Sequence, residues 1–239
     1  MKKIKFSLSQ DVSLDLHLIE GIFEPTGTTK LLIDSVTSSC KSESGQKILD
    51  LGAGCGVVGI SLCKQGFMGS TMFASDLNNN SLQCMSLNAK EHQCEIIIRE
   101  GSIFEPWEGE KFDIIVDDIS GVSDKVAKIS DWFDSVPCNS GIGGDILTNK
   151  VLSQSKDYLN DGGVIFFPVI SFSNVNSILS VASQYYENVD CVSRMEWILP
   201  QSMQDNLDVL KKLKKSGHID YEDKFGTIVW YTEIYKAYN

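Results

Sequence analysis

The stretch Ile48-Leu49-Asp50-Leu51-Gly52-Ala53-Gly54-Cys55-Gly56-Val57-Val58-Gly59 decides the reading of the chain. Ile48, Leu49 and Leu51 supply a buried strand. Gly52, Gly54 and Gly56 remove side chains where the backbone turns sharply and where a ligand comes close. A helix starting at Val57 presents free N–H groups at its first turn. Asp50 stands just before the bend. A carboxylate suits a polar or cationic ligand there better than a pyrophosphate.

A second apolar strand, Thr71-Met72-Phe73-Ala74, ends in Ser75-Asp76-Leu77. An acid at the end of the second strand of a βαβ unit is placed to accept hydrogen bonds from the hydroxyls of a ribose. Two kinds of nucleotide site meet this description. Gly54-Cys55-Gly56-Val57-Val58-Gly59 fits the G-x-G-x-x-G dinucleotide pattern, which predicts an NAD-dependent oxidoreductase. Asp50-Leu51-Gly52 ahead of the glycines favours the other kind.

Outward from this unit, strands and helices alternate. The pattern predicts a helix over residues 80–93, strands over 95–99 and 112–116, a helix over 149–159, a strand over 164–169 and a helix over 174–186. Two β-rich runs follow, over 188–199 and 226–235. Alternation of this kind implies a parallel sheet with helices on both faces. Ligands in such sheets bind beyond the carboxyl ends of the strands. The glycine bend, Asp76, Ser102-Ile103 and Asp117-Asp118 are all expected at that edge. Residues 1–24 alternate apolar and polar side chains, as one or two strands outside the main sheet. Residues 25–36 carry the turn Pro25-Thr26-Gly27-Thr28 and a helix start with Leu31, Leu32 and Val36 on its apolar face.

These residues together resemble the class I S-adenosylmethionine-dependent methyltransferases. Asp50 to Gly56 correspond to the loop that cradles the amino-acid end of the cofactor, and Asp76 to the acid that holds its ribose. Phe23-Glu24-Pro25-Thr26-Gly27-Thr28-Thr29-Lys30-Leu31-Leu32 resembles the cofactor-covering segment of the release-factor glutamine methyltransferases and their small-domain relatives, with Thr29 the matching threonine. Asn139-Ser140-Gly141-Ile142-Gly143-Gly144-Asp145-Ile146-Leu147 is similar to that family's Gly-Gly-x-Asp-Gly-Leu loop, shortened. The resemblance implies a doubly wound, seven-stranded, mostly parallel sheet of the Rossmann-like methyltransferase kind, with the final strand antiparallel. It also implies S-adenosylmethionine as cofactor, bound by Thr29, Asp50, Gly52, Ala53, Gly54, Gly56, Asp76, Leu77, Ser102, Ile103 and Asp117. The expected organisation is an N-terminal extension with the covering helix over residues 1–46 and a catalytic domain over 47–239.

The fourth strand departs from the family. Its Asn-Pro-Pro-Tyr is replaced by Asp118-Ile119-Ser120-Gly121. A carboxylate cannot donate the amide's N–H, but it accepts a proton or binds an N–H donor. Glutamine and adenine are therefore not the expected acceptors. Asp118 and its neighbour Asp117, pointing to opposite sides of the strand end, are the candidate catalytic pair. Glu24, Asp118 and Trp197 are candidates for contact with the substrate, and Trp107 is expected to pack. The altered motif also allows a non-catalytic, cofactor-binding subunit of another methyltransferase.

The net charge of −11 argues against a nucleic-acid partner, because backbone binding wants a basic face. Lys211-Lys212 and Lys214-Lys215 form one dense basic cluster, read as the solvated face of a helix. His17, His92 and His218 are scattered, so no metal site is expected. Seven cysteines without C-x-x-C spacing, no apolar leader and no membrane-length run suggest reduced thiols and a cytoplasmic setting. The expected acceptor is a small molecule or a protein side chain.

Overall fold

The computed structural model describes residues 1–9, 11–119, 121–133 and 136–239. In chain order the strands and helices are β1 (Lys2–Ser7), β2 (Ser13–Leu18), α1 (Gly27–Ser39), β3 (Lys47–Leu51), α2 (Val57–Lys64), β4 (Thr71–Asp76), α3 (Asn79–Glu91), β5 (Ile96–Glu100) and β6 (Phe112–Asp117). They continue with α4 (Asp124–Ala127), α5 (Ile146–Ser155), β7 (Leu159–Ile170), α6 (Val175–Tyr185), β8 (Asn188–Ile198), α7 (Gln201–Gln204), α8 (Leu207–Lys215), β9 (Glu222–Lys224) and β10 (Thr227–Tyr238).

The main sheet runs β5-β4-β3-β6-β7-β10-β8. Five strands are parallel, and β10 enters antiparallel between β7 and β8. A seven-stranded, mostly parallel sheet with its final strand antiparallel is the expected arrangement. An eighth strand, β9, adds three residues to the start of β10, where Glu222 pairs with Val229. The chain reverses at Phe225-Gly226, both at positive φ. Strand order reverses between β3 and β6, which opens a crevice beyond their carboxyl ends. The ends of β3, β4, β5 and β6 stand side by side there, so the polar clusters predicted for one edge do share it.

The strands read as apolar runs because both faces are covered. On one face α1, α2 and the β1–β2 hairpin bury Leu16, Leu32, Ile33 and Ile60 against Ile48, Ile114 and Phe166. On the other, α5 and α6 bury Val151, Leu152, Ile178 and Ala182 against Leu49, Ile115 and Phe167. A third cluster lies at the carboxyl edge. There α4, α7 and α8 bring Val126, Met203, Leu210 and Leu213 onto Phe172 and Trp230. The charged run over residues 200–223 is thus a pair of helices with a buried side.

Two polar details fix the layers around the crevice. Thr26 caps α1, accepting from the Thr28 N–H, while the Thr29 hydroxyl accepts from the Thr26 N–H. Asn88 of α3 accepts from the His17 N–H and donates to the carbonyls of His17 and Cys55. A single buried amide thereby joins the N-terminal hairpin to the glycine bend.

Candidate active site

The bend between β3 and α2 holds Gly52, Gly54 and Gly56 at φ of +66°, +54° and +82°. A Cβ on Gly52 would stand 2.7 Å from the Ile119 side chain, so the end of β6 lies directly against the bend. The Ala53 N–H donates to the Ser75 carbonyl at 3.0 Å, and the Gly54 N–H donates to Oδ2 of Asp76 at 2.9 Å. Oδ1 of Asp76 accepts from the Asn78 N–H at 2.8 Å. Each Asp76 oxygen keeps a free lone pair, and the residue faces a cavity.

That cavity, of about 710 Å³, occupies the crevice. Its volume lies in the range of small-molecule sites. Toward the sheet it is lined by Gly52, Ala53, Gly54, Asp76, Leu77, Ser102, Ile103 and, from α1, Thr29. Ile103 sits at φ +52°, an uncommon state for a β-branched residue. This end has what a sulfonium nucleoside needs: a cradle without side chains, a carboxylate for ribose hydroxyls, and apolar walls in Leu77 and Ile103 for a base.

The opposite end of the same cavity is aromatic. Phe23, Trp132, Phe133, Trp197 and Trp230 line it, with Pro25, Pro137, Pro168 and Pro200 between them. Trp230 stacks on Trp197 with centroids 5.8 Å apart, and its ring lies 5.1 Å from that of Trp132. The Trp197 Nε1–H donates to the Thr232 hydroxyl, which contacts the Thr28 hydroxyl. Trp197 rests on the backbone of Gly27, where a Cβ would approach it to 2.3 Å. Pro168 follows Phe166, the last β7 residue paired with β6. Missing its N–H there leaves no gap in the β6–β7 ladder.

Asp118 stands between the two ends. It lines the cavity and meets the Thr29 hydroxyl. Burial pushes its carboxyl up to about 7, against which the Thr29 hydrogen bond acts. Asp76 and Asp118 are the charged residues of the lining, and no Lys, Arg or His joins them among the described residues.

Four expected contacts, Asp117, Asp50, Glu24 and Gly56, fall outside the cavity lining. Asp117 is 1% exposed and does not line the cavity; its Oδ1 accepts from the Ile119 N–H at 3.1 Å. Strand alternation turns it beneath the turn that carries Asp118. Burial, then the Asp118 charge, raises its carboxyl to about 7. Asp50 is 2% exposed and lies under the bend, where it accepts from the Gly59 N–H at 3.3 Å. Gly56, the N-cap of α2, has no side chain to cap with, so Asp50 supplies that group from the preceding strand. Burial, then Asp118, lifts its pKa well above the carboxylate range. Glu24 is exposed, pairs with Lys2 and points away from the cleft. Gly56 belongs to the bend without lining the cavity, and Ser120 lies outside the described residues. Trp107 is fully buried and donates to the Ser75 hydroxyl, a packing residue as expected.

Sequence reasoning passed over Phe23, Trp132, Phe133 and Trp230. They come from separate loops and strands, and the sequence signal they left was that all the tryptophans but Trp107 lie outside the βαβ core.

Residues 24–118 match the methyltransferase small domain family. The release factor glutamine methyltransferase of Clostridium acetobutylicum is 27% identical over 167 residues, 66% of this chain and 58% of that protein. Ribosomal RNA small subunit methyltransferase C of Haemophilus influenzae is 27% identical over 156 residues, 63% of this chain and 40% of that protein. The chain thus spans less than two thirds of the length of these curated relatives.

Among solved structures, the ribosomal protein L11 methylase of Lactobacillus delbrueckii subsp. bulgaricus aligns with a TM-score of 0.60 at 13% identity, over 98% of this chain and 99% of that one. A T. thermophilus 16S rRNA methyltransferase in complex with AdoMet and guanosine aligns with a TM-score of 0.62 at 15% identity, over 97% of this chain and 50% of that one. Residues 24–118 are thus similar to the methyltransferase small domain, and the fold is one shared with S-adenosylmethionine-dependent methyltransferases. Ribosomal RNA methyltransferases among its relatives leave the charge-based expectation against nucleic acid without support. Among the described residues no helix is long and apolar enough to cross a membrane.

Proposed function

We propose that the chain transfers a methyl group from S-adenosylmethionine to an acceptor seated beside Asp118, a small molecule or a protein side chain. The observation that carries this reading is one cavity lined by a side-chain-free bend, by a group of aromatic rings and, between them, by the Asp118 carboxylate. Asp76, Leu77, Ser102 and Ile103 would hold the nucleoside, and Gly52, Ala53 and Gly54 its amino-acid portion beneath Thr29. When bound, S-adenosylmethionine supplies an electrophilic methyl group: the bond from acceptor to carbon forms as the carbon–sulfur bond breaks, the pair staying on sulfur. Asp118 takes the acceptor's proton, and a carboxyl near 7 is matched to that task. The indole rings exclude water and hold the acceptor in line. Asp50 and Asp117 support the two turns from below.

In this reading residues 1–46 cover the cofactor and residues 47–239 perform the transfer. Seven unpaired cysteines suit the reducing cytoplasm. With Asp118 where the resembled family has Asn, we do not assign glutamine as acceptor.

Calorimetry with S-adenosylmethionine, S-adenosylhomocysteine and NAD tests the cofactor. Binding of the first two and not of NAD is expected; binding of NAD alone would overturn the reading. With an acceptor in hand, the rate should rise with pH through about 7 and then level, because below that value Asp118 already holds a proton. A rate that falls across the same window removes Asp118 as the base. Cofactor binding without transfer to any acceptor would leave a supporting subunit instead.

A further inference from the structure

The composition of the acceptor end narrows the acceptor. Its walls are Trp132, Trp197 and Trp230 with flanking prolines, and its charged group is Asp118. Rings of this kind attract a cation over their faces and bury an apolar skeleton. A phosphate or carboxylate at the aromatic end finds no Lys, Arg or His among the described lining residues, and meets the repulsion of Asp118 instead. An alcohol gains nothing from a carboxylate that an amine does not gain more strongly, since charge-assisted hydrogen bonds are about twice as strong as neutral ones.

The elements also connect in the right order. Asp118 meets Thr29 in the first turn of α1. Two residues earlier, Gly27 carries the Trp197 ring, and Trp197 stacks on Trp230. The carboxylate and the aromatic wall therefore meet at the start of one helix. Ile119, next to Asp118, touches the glycine bend. A nitrogen held by Asp118 is thus beside the bend, with its skeleton directed toward the rings.

We propose that this end of the cavity is a site for an amine on an aromatic or aliphatic skeleton, with nitrogen on Asp118 and body against Trp197, Trp230 and Trp132. The assignment rests on the methyl-transfer reading for its meaning as a substrate site, but not for its test. Three of the four tryptophans of the chain line the cavity, so intrinsic fluorescence reports occupancy directly. Phenethylamine, phenethyl alcohol, hydrocinnamate and a mixed-sequence single-stranded RNA are each titrated at pH 8, with and without S-adenosylhomocysteine.

Phenethylamine should quench saturably, and the alcohol and the carboxylate should bind at least about tenfold more weakly, the equivalent of one charge-assisted contact. Asp118→Asn should bring amine and alcohol to within about twofold of each other. Gly27→Ala, whose new methyl displaces Trp197, should weaken amine and alcohol alike and leave their ratio unchanged. Equal binding of the alcohol or carboxylate, a preference that survives Asp118→Asn, or tighter quenching by the RNA would each overturn the amine site. If S-adenosylhomocysteine fails to bind while the amine binds, the methyl-transfer reading falls and the amine site stands.

Discussion

The two ends of the cavity are built by different means. The end at the glycine bend is made of backbone: three residues at positive φ and one carboxylate, Asp76, tied by two N–H groups within the same βαβ unit. The other end is made of side chains drawn from residues 23 to 230, held by ring contacts and by one carboxylate at the end of β6. Backbone geometry is intolerant of change and suits a ligand that never varies. A wall of rings can be altered one residue at a time, and suits the partner that sets specificity.

The largest effect that separates the ends should come from Asp76→Ala. It frees the Gly54 and Asn78 amides and removes the acceptor proposed for the ribose, so affinity for S-adenosylhomocysteine should fall about 100-fold. Fluorescence quenching by phenethylamine should stay as in wild type. A parallel loss of both would mean that the ends are not independent.

Gly52→Ala should breach the division. The methyl would meet Ile119 at 2.7 Å, and Ile119 adjoins Asp118. The left-handed backbone adds strain of about 1 kcal/mol. Both nucleoside and amine affinities should drop, each by about tenfold, as read by calorimetry and fluorescence. An effect on the nucleoside alone would show that β6 yields without disturbing the acceptor end.

The smallest effect concerns the floor shared by both ends. Asp50 and Asp117 are buried with raised pKa values. A folded-state value above the unfolded one contributes stability below the unfolded value of 3.8 that is lost as pH rises through about 7 for Asp117. Wild type should therefore melt at lower temperature at pH 8 than at pH 5. Asp117→Asn should shrink that difference by about 2–4 °C, equivalent to about 1 kcal/mol. An unchanged pH slope in thermal scans would mean that Asp117 is not the titrating group.

The departure at Asp118 was visible through the family resemblance, since the strand end that resemblance would have as Asn-Pro-Pro-Tyr reads otherwise. Its environment was not: the rise in pKa comes from burial, which depends on the roof formed by α1 and the aromatic wall. Asp50 misled for a related reason. A carboxylate before a glycine bend faces either the ligand or the helix N-terminus behind the bend. Only the turn of the backbone decides, and here it sends Asp50 to the Gly59 N–H. Likewise, the lysines of α8 stood out in the sequence, while the cluster on which its Leu210 and Leu213 are buried is assembled from distant segments.

The antiparallel last strand was implied by the family resemblance; the sequence alone determined the parallel sheet, the glycine bend and the acid that answers it. These follow from local periodicity and from steric rules that act over a few residues. Which carboxylates face the cleft, and which rings close it, was decided by tertiary structure. Those contacts join residues far apart in the chain, and no periodicity along it records where distant side chains meet.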